Sequence, residues 1–202
     1  ILVGRKVGFS LYKQGIGGAA EPLEGVTFRL YDKNGNQVGG DYVTDAQGMI
    51  TFTGLVIGTY TLREVSLGGN IAANYVIDDD SWNGQLLNVT DNMSPIYITN
   101  RKSRVVLTKL GDGEALATGL EATYSLYRDA GAGFQPVPAY QNVSTTQGQL
   151  AIDGLEAGSY QLREVTAPTG YVLNSTPASF EFVADADRGM SPATIEVEHN
   201  NY

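Results

Sequence analysis

Cysteine is absent from this 202-residue chain, so disulfides, thiolate catalysis and cysteine-based metal sites are all closed to it. A small domain outside the cell usually needs a staple to supplement a modest core, and here that staple must be of another kind. Histidine occurs once. His199 has no second histidine, no cysteine and no Ser-His-Asp arrangement to join, so it reads as a surface residue near the terminus rather than a base or metal ligand. Runs of Lys or Arg are also missing, and the net charge is −9, which argues against nucleic acid and against contact with an anionic membrane. No stretch is long and apolar enough for a membrane span, and Ile1-Leu2-Val3-Gly4-Arg5 is too short for a signal peptide, so any export signal or anchor is expected outside this segment.

What the chain does have is glycine (25), many tyrosines (12) and short alternating runs, the composition of strands joined by tight turns. The strongest feature is an internal repeat. Phe9-Ser10-Leu11-Tyr12-Lys13 answers Val105-Val106-Leu107-Thr108-Lys109, and Phe28-Arg29-Leu30-Tyr31 answers Tyr124-Ser125-Leu126-Tyr127, both at an offset of 96. Gly58-Thr59-Tyr60-Thr61-Leu62-Arg63-Glu64-Val65 then answers Gly158-Ser159-Tyr160-Gln161-Leu162-Arg163-Glu164-Val165 at an offset of 100. Each segment alternates apolar and polar residues, as a half-buried strand does. The inward set expected in the first copy is Phe9/Leu11, Phe28/Leu30, Ile50/Phe52, Tyr60/Leu62 and Ile96/Ile98. In the second it is Val105/Leu107, Tyr124/Leu126, Leu150/Ile152, Tyr160/Leu162, Tyr171/Leu173, Phe180/Phe182 and Ile195/Val197. Turn signals such as Asp32-Lys33-Asn34-Gly35-Asn36 separate the runs. The expectation is an all-β chain of two tandem Ig-like or prealbumin-like β-sandwich domains, residues 1–101 and 102–202, in an elongated arrangement across a short polar hinge, Arg101-Lys102-Ser103-Arg104.

Two of the five lysines fall at equivalent inward positions, Lys13 after Phe9 and Leu11, and Lys109 after Val105 and Leu107. Glu64 continues the parity of Tyr60 and Leu62, and Glu164 that of Tyr160 and Leu162. Each core thus receives one amine and one carboxyl. Burying such a pair as ions costs much of what their attraction returns. Desolvation lowers the amine pKa and raises the carboxyl pKa, which permits a neutral amine beside a neutral acid. A neutral amine is a nucleophile, and Asn100, continuing Ile96 and Ile98, offers a carbonyl on the same face.

These segments resemble the Cna-B or SpaA-like repeat domains of Gram-positive pilins and surface adhesins. The resemblance rests on Gly25-Val26-Thr27-Phe28-Arg29-Leu30-Tyr31, on the Thr-Asp-x-x-Gly turn from Thr44 to Gly48, and on the run from Leu55 to Glu64. In the second copy it rests on Glu164-Val165-Thr166-Ala167-Pro168-Thr169-Gly170-Tyr171. It implies an intramolecular isopeptide bond between a first-strand Lys and a last-strand Asn, promoted by a middle-strand Glu: Lys13, Asn100 and Glu64 in the first domain, Lys109 and Glu164 in the second. The second acceptor is read as Asn200, which the family's Asn-x-aromatic ending favours with a bulge at His199; the alternative is Asn201, since strict alternation from Val197 turns His199 and Asn201 inward. Such a reaction occurs once per molecule, without cofactor, and is not enzymatic turnover.

Asp78-Asp79-Asp80 and Asp185-Ala186-Asp187-Arg188-Gly189 are read as solvated loops rather than calcium sites, the first lacking an oxygen ligand at Trp82 and the second carrying Arg188. Trp82, Tyr12, Tyr31 and Tyr127 are expected to cover core edges. The functional expectation is a structural stalk or pilin segment, extracellular and cell-wall anchored or pilus-associated, whose partners are neighbouring domains or subunits of the same surface assembly. The alternative is an adhesin module that binds a host matrix protein or glycan through loops such as 68–74 or 130–138.

Overall fold

Alternating side chains become strands wherever their apolar members can be packed on one side of a sheet. A computed structural model of the chain describes residues 4–16, 20–68, 74–112, 115–116 and 121–202. They form two units, Ile1–Lys102 with Ala184–Ser191, and Ser103–Val183 with Pro192–Tyr202. Most of the 68–74 loop considered as a ligand surface lies outside the described residues.

In the first unit the strand Lys6–Ile16 pairs antiparallel with Met49–Val56 and parallel with Ile96–Lys102. The opposing sheet runs Gln37–Val43, Thr27–Tyr31, Gly58–Ser66, Gln85–Val89, antiparallel throughout. Phe9, Leu11, Phe28, Leu30, Ile50, Phe52, Tyr60, Leu62 and Ile98 are buried in one core, with Ile96 packed against it, and the Phe9 and Phe52 rings stack at 4.6 Å. Truncating one of these residues to alanine is expected to cost about 2–5 kcal/mol. Residues 184–191, late in the sequence, belong to this unit: the Leu67 N–H donates to the Asp187 carbonyl (3.1 Å), and the Ile77 N–H to that of Arg188 (3.0 Å).

The second unit repeats the plan. Arg104–Gly111 pairs antiparallel with Gln149–Asp153 and parallel with Thr194–Asn200. The other sheet is built on Thr123–Asp129, Gly158–Thr166 and Ala178–Asp185. Tyr60 and Tyr160 occupy matching places: each ring is buried, and each hydroxyl donates to a carbonyl four residues upstream, Val56 (2.7 Å) and Glu156 (2.9 Å).

Two expectations change. Tyr171 and Leu173 do not form an inward strand; residues 171–177 are irregular and Leu173 is exposed. Their backbone is engaged elsewhere, the Val172 N–H with the Tyr202 carbonyl (2.9 Å) and the Asn174 N–H with Glu164 (2.8 Å). The four-residue hinge contracts to Ser103 alone, because Ile96–Lys102 and Arg104–Gly111 are both strand. Ser103 is fully buried, and its hydroxyl donates to the Leu155 carbonyl at 2.5 Å.

Candidate functional site

Lys13 is placed by the turn that the sequence marks as Thr-Asp-x-x-Gly. Its N–H donates to the Gly48 carbonyl (2.7 Å), and its own carbonyl accepts from Leu23 (3.0 Å). Asp45 shapes that turn, its Oδ1 accepting from the N–H groups of Gln47 (2.9 Å) and Met49 (2.8 Å). Gly48 sits at φ +71°, where a side chain would be strained and its Cβ would collide with the Lys13 carbonyl. The turn glycine is therefore the means by which the lysine backbone is held. The second unit repeats the device, the Lys109 N–H donating to the Gly148 carbonyl at 2.7 Å.

Lys13, Glu64 and Asn100 come together between the two sheets, each with no exposed surface. The Lys13 amine donates to Asn100 Oδ1 at 2.6 Å and to Glu64 Oε2 at 2.9 Å. Asn100 Nδ2 donates to Glu64 Oε1 at 2.6 Å. One carboxyl oxygen thus touches the amine and the other touches the amide nitrogen. Burial pushes the Lys13 pKa below the ordinary amine value, with Glu64 partly opposing, and burial pushes the Glu64 pKa up against the opposing pull of Lys13. Both shifts favour the uncharged pair.

In the second unit Lys109 is fully buried and Glu164 nearly so, with the amine 3.2 Å from Glu164 Oε1 but not aligned for a hydrogen bond. Asn201, not Asn200, shares their face. Asn201 is buried and its Nδ2 donates to Glu164 Oε2 at 2.9 Å. The parallel register runs unbroken from Arg104↔Thr194 to Leu110↔Asn200, so no bulge turns Asn200 inward, and its Oδ1 has no hydrogen-bond partner. Here the amine does not reach its amide: Asn201 Oδ1 is buried without a hydrogen-bond partner, while Lys109 donates to the His199 carbonyl at 3.1 Å.

His199 departs most from its expected place. It is buried, its Nδ1 lying 2.9 Å from the Tyr124 hydroxyl and 3.4 Å from the Lys109 amine. Two glycines also escaped the sequence reading. Gly15 lies opposite Asn100 in the parallel ladder, and a Cβ there would strike the Tyr75 ring; a Cβ on Gly111 would strike Tyr171. A tyrosine thus lies against the glycine two residues after each lysine, and the spacing Lys-x-Gly is the signal that could have found both. Of the acidic clusters, Asp78 caps the short helix Asp79–Asn83 by accepting from the Ser81 N–H (2.7 Å), and Asp185 accepts from Asp187 and Arg188 within its own turn.

A family model described as SpaA, a prealbumin-like fold domain, matches residues 9–102 and again 103–198. Among solved structures the chain is similar to the Bacillus anthracis TIE protein, at 20% identity and a TM-score of 0.44, covering 97% of this chain and 34% of that one. It is similar to a streptococcal ancillary pilin at 25% identity and a TM-score of 0.40, covering 98% and 62%. The shaft pilin SpaA from Lactobacillus rhamnosus GG gives 14% identity and a TM-score of 0.37, covering 98% of each chain. This chain therefore spans less than two thirds of the TIE protein and of the ancillary pilin. No curated protein matches it.

Proposed function

The chain belongs to the SpaA prealbumin-like domain family, and from that premise we propose that it is a structural segment of a Gram-positive surface stalk or pilus, strengthened by self-formed lysine–asparagine isopeptide bonds. One observation carries the reading: a fully buried amine 2.6 Å from a fully buried amide oxygen, with a single carboxyl spanning amine and amide nitrogen. Such a cluster is costly as an ion pair with an amide beside it and well arranged as a set of reactants.

The step balances within the cluster. Lys13 passes a proton to Glu64 Oε2, which leaves a neutral amine and a neutral acid. The amine attacks Asn100 Cγ, the Nζ–Cγ bond forms, and the Cγ–Nδ2 bond breaks. Glu64 delivers a proton through Oε1 to the departing nitrogen, and ammonia leaves. Nζ gives its second proton to Glu64 as it becomes the amide nitrogen, so Glu64 acts twice as base toward one nitrogen and once as acid toward the other, and is left holding the proton that the lysine ammonium brought. In the second unit Lys109, Glu164 and Asn201 are assigned the same roles. The reaction consumes its own side chains and is not turnover.

The bond would join the first and last strands of the first unit, which pair in parallel from Leu11↔Ile96 to Ile16↔Arg101. Tension entering along the first strand would pass from Lys13 to Asn100 and leave by the following strand, bypassing the hydrogen-bonded core. That use suits an extracellular segment tied to neighbouring subunits of the same assembly, and it supports the stalk over a ligand-binding module. The test is the intact mass of the denatured protein. The wild type should fall short of its sequence mass by at least one ammonia, and Lys13→Ala and Asn100→Ala should each restore it. A full sequence mass in the wild type would overturn the chemistry.

A further inference from the structure

Lys13 and Lys109 hold equivalent positions, yet their surroundings differ at two matched places. In the parallel ladders Lys13 lies opposite Ile98 and Lys109 opposite His199. In the facing sheets Glu64 lies opposite Phe28 and Glu164 opposite Tyr124. An apolar pair in the first site has become a polar pair in the second, and its two members are bonded to each other at 2.9 Å. From this coordinated exchange we infer that Tyr124 and His199 are positioning residues that hold the Lys109 amine off Asn201, so that the second cross-link forms much more slowly than the first. The inference rests on the cross-linking reading above.

The hydrogen-bond directions follow from the partners. His199 Nε2 lies 2.8 Å from the Thr176 carbonyl, which can only accept, so Nε2 carries the hydrogen. Nδ1 is then a lone-pair acceptor, and it faces the Tyr124 hydroxyl and the Lys109 amine together. Burial lowers the His199 pKa, consistent with the neutral ring. The amine is held a second time by the carbonyl of the same residue, at 3.1 Å. Asn201 is meanwhile fixed through Nδ2 alone, to Glu164 Oε2 (2.9 Å) and the Val172 carbonyl (2.7 Å), with its oxygen unpaired. In the first site Phe28 and Ile98 offer no side-chain acceptor, and Lys13 donates to Glu64 and to the amide it would attack. Before Lys109 can attack it must break its contacts with His199, which should slow the step by about tenfold or more.

The experiment follows ammonia loss by intact mass after the full-length chain, recovered unfolded from synthesis, is refolded. In wild type the first ammonia should leave at least about tenfold faster than the second. The double variant Tyr124→Phe/His199→Ile, which copies the first site, should lose both at similar rates. A gain in rate cannot come from a merely damaged fold. The converse variant Phe28→Tyr/Ile98→His should slow the first loss and keeps the idea testable if the other variant fails to fold. Wild type losing both ammonias together, or unequal losses that neither variant shifts, overturns the inference and leaves the cross-linking reading standing. Loss of no ammonia from wild type overturns both.

Discussion

The first unit presses its buried amine against its amide, at 2.6 Å, whereas the second has the same amine and carboxyl in the same register and leaves its amide oxygen without a partner. Composition alone does not separate them, since each holds Lys, Glu and Asn. What separates them is the wall: Phe28 and Ile98 in one, Tyr124 and His199 in the other. A reactive cluster needs neighbours that offer the nucleophile no other partner, because each competing hydrogen bond stabilises the ground state and not the transition state.

The sharpest way to break this comparison is mechanical. With the chain pulled by its ends soon after folding, the first unit should not extend by a domain's length at forces that unfold ordinary sandwiches, and the second should. Lys13→Ala should restore one further extension event, and two extension events in wild type would count against a stalk. Next is equilibrium stability. Asn100→Ala should remove the proposed cross-link, which would close nearly the whole unit, with a loss of about 3–5 kcal/mol by analogy with disulfides over long loops. Asn201→Ala in freshly folded protein removes hydrogen bonds only, for about 1–3 kcal/mol. Denaturant titrations showing equal losses would dissolve the distinction.

The pH dependence of the first bond sharpens the comparison further. Lys13 must be neutral to attack, so acid slows the reaction by protonating an amine whose pKa burial has lowered. Glu64 must hold a proton to release the amide nitrogen, so alkali slows it by ionising a carboxyl whose pKa burial has raised. The refolding rate of ammonia loss should therefore be bell-shaped in pH, with apparent limits belonging to the pair. Glu64→Gln, which cannot take the proton, should abolish the bell along with most of the rate. The smallest effects belong to the glycines. Gly15→Ala and Gly111→Ala should cost about 1–3 kcal/mol in thermal unfolding, by forcing Tyr75 or Tyr171 off its seat.

Period-two alternation made much of this legible. Because a strand's parity fixes the face of every residue, it turns Lys13, Glu64 and Asn100 all inward. The same rule applied to Val197 turns Asn201 inward, and the structure follows it without a bulge; the aromatic ending that favoured Asn200 was the weaker guide. His199 was misread because the groups that bury it are distant in sequence, Tyr124 by 75 residues and Thr176 by 23. Tyr171 and Leu173 looked like a strand because short apolar alternation cannot report that the backbone between and after them is engaged, the Val172 N–H by the Tyr202 carbonyl and the Asn174 N–H by Glu164. The docking of 184–191 in the first unit was equally hidden, since backbone pairing of Asp187 with Leu67 and Arg188 with Ile77 leaves no side-chain pattern.

The most direct test of the contrast between the two sites is tandem mass spectrometry of peptides from freshly folded, then proteolysed wild-type protein. The Lys13 peptide should be joined to the Asn100 peptide with loss of one ammonia, while the Lys109 and Asn201 peptides should be recovered mostly separate. A free Lys13 peptide with unmodified Asn100, or both pairs joined to the same extent, would contradict that contrast.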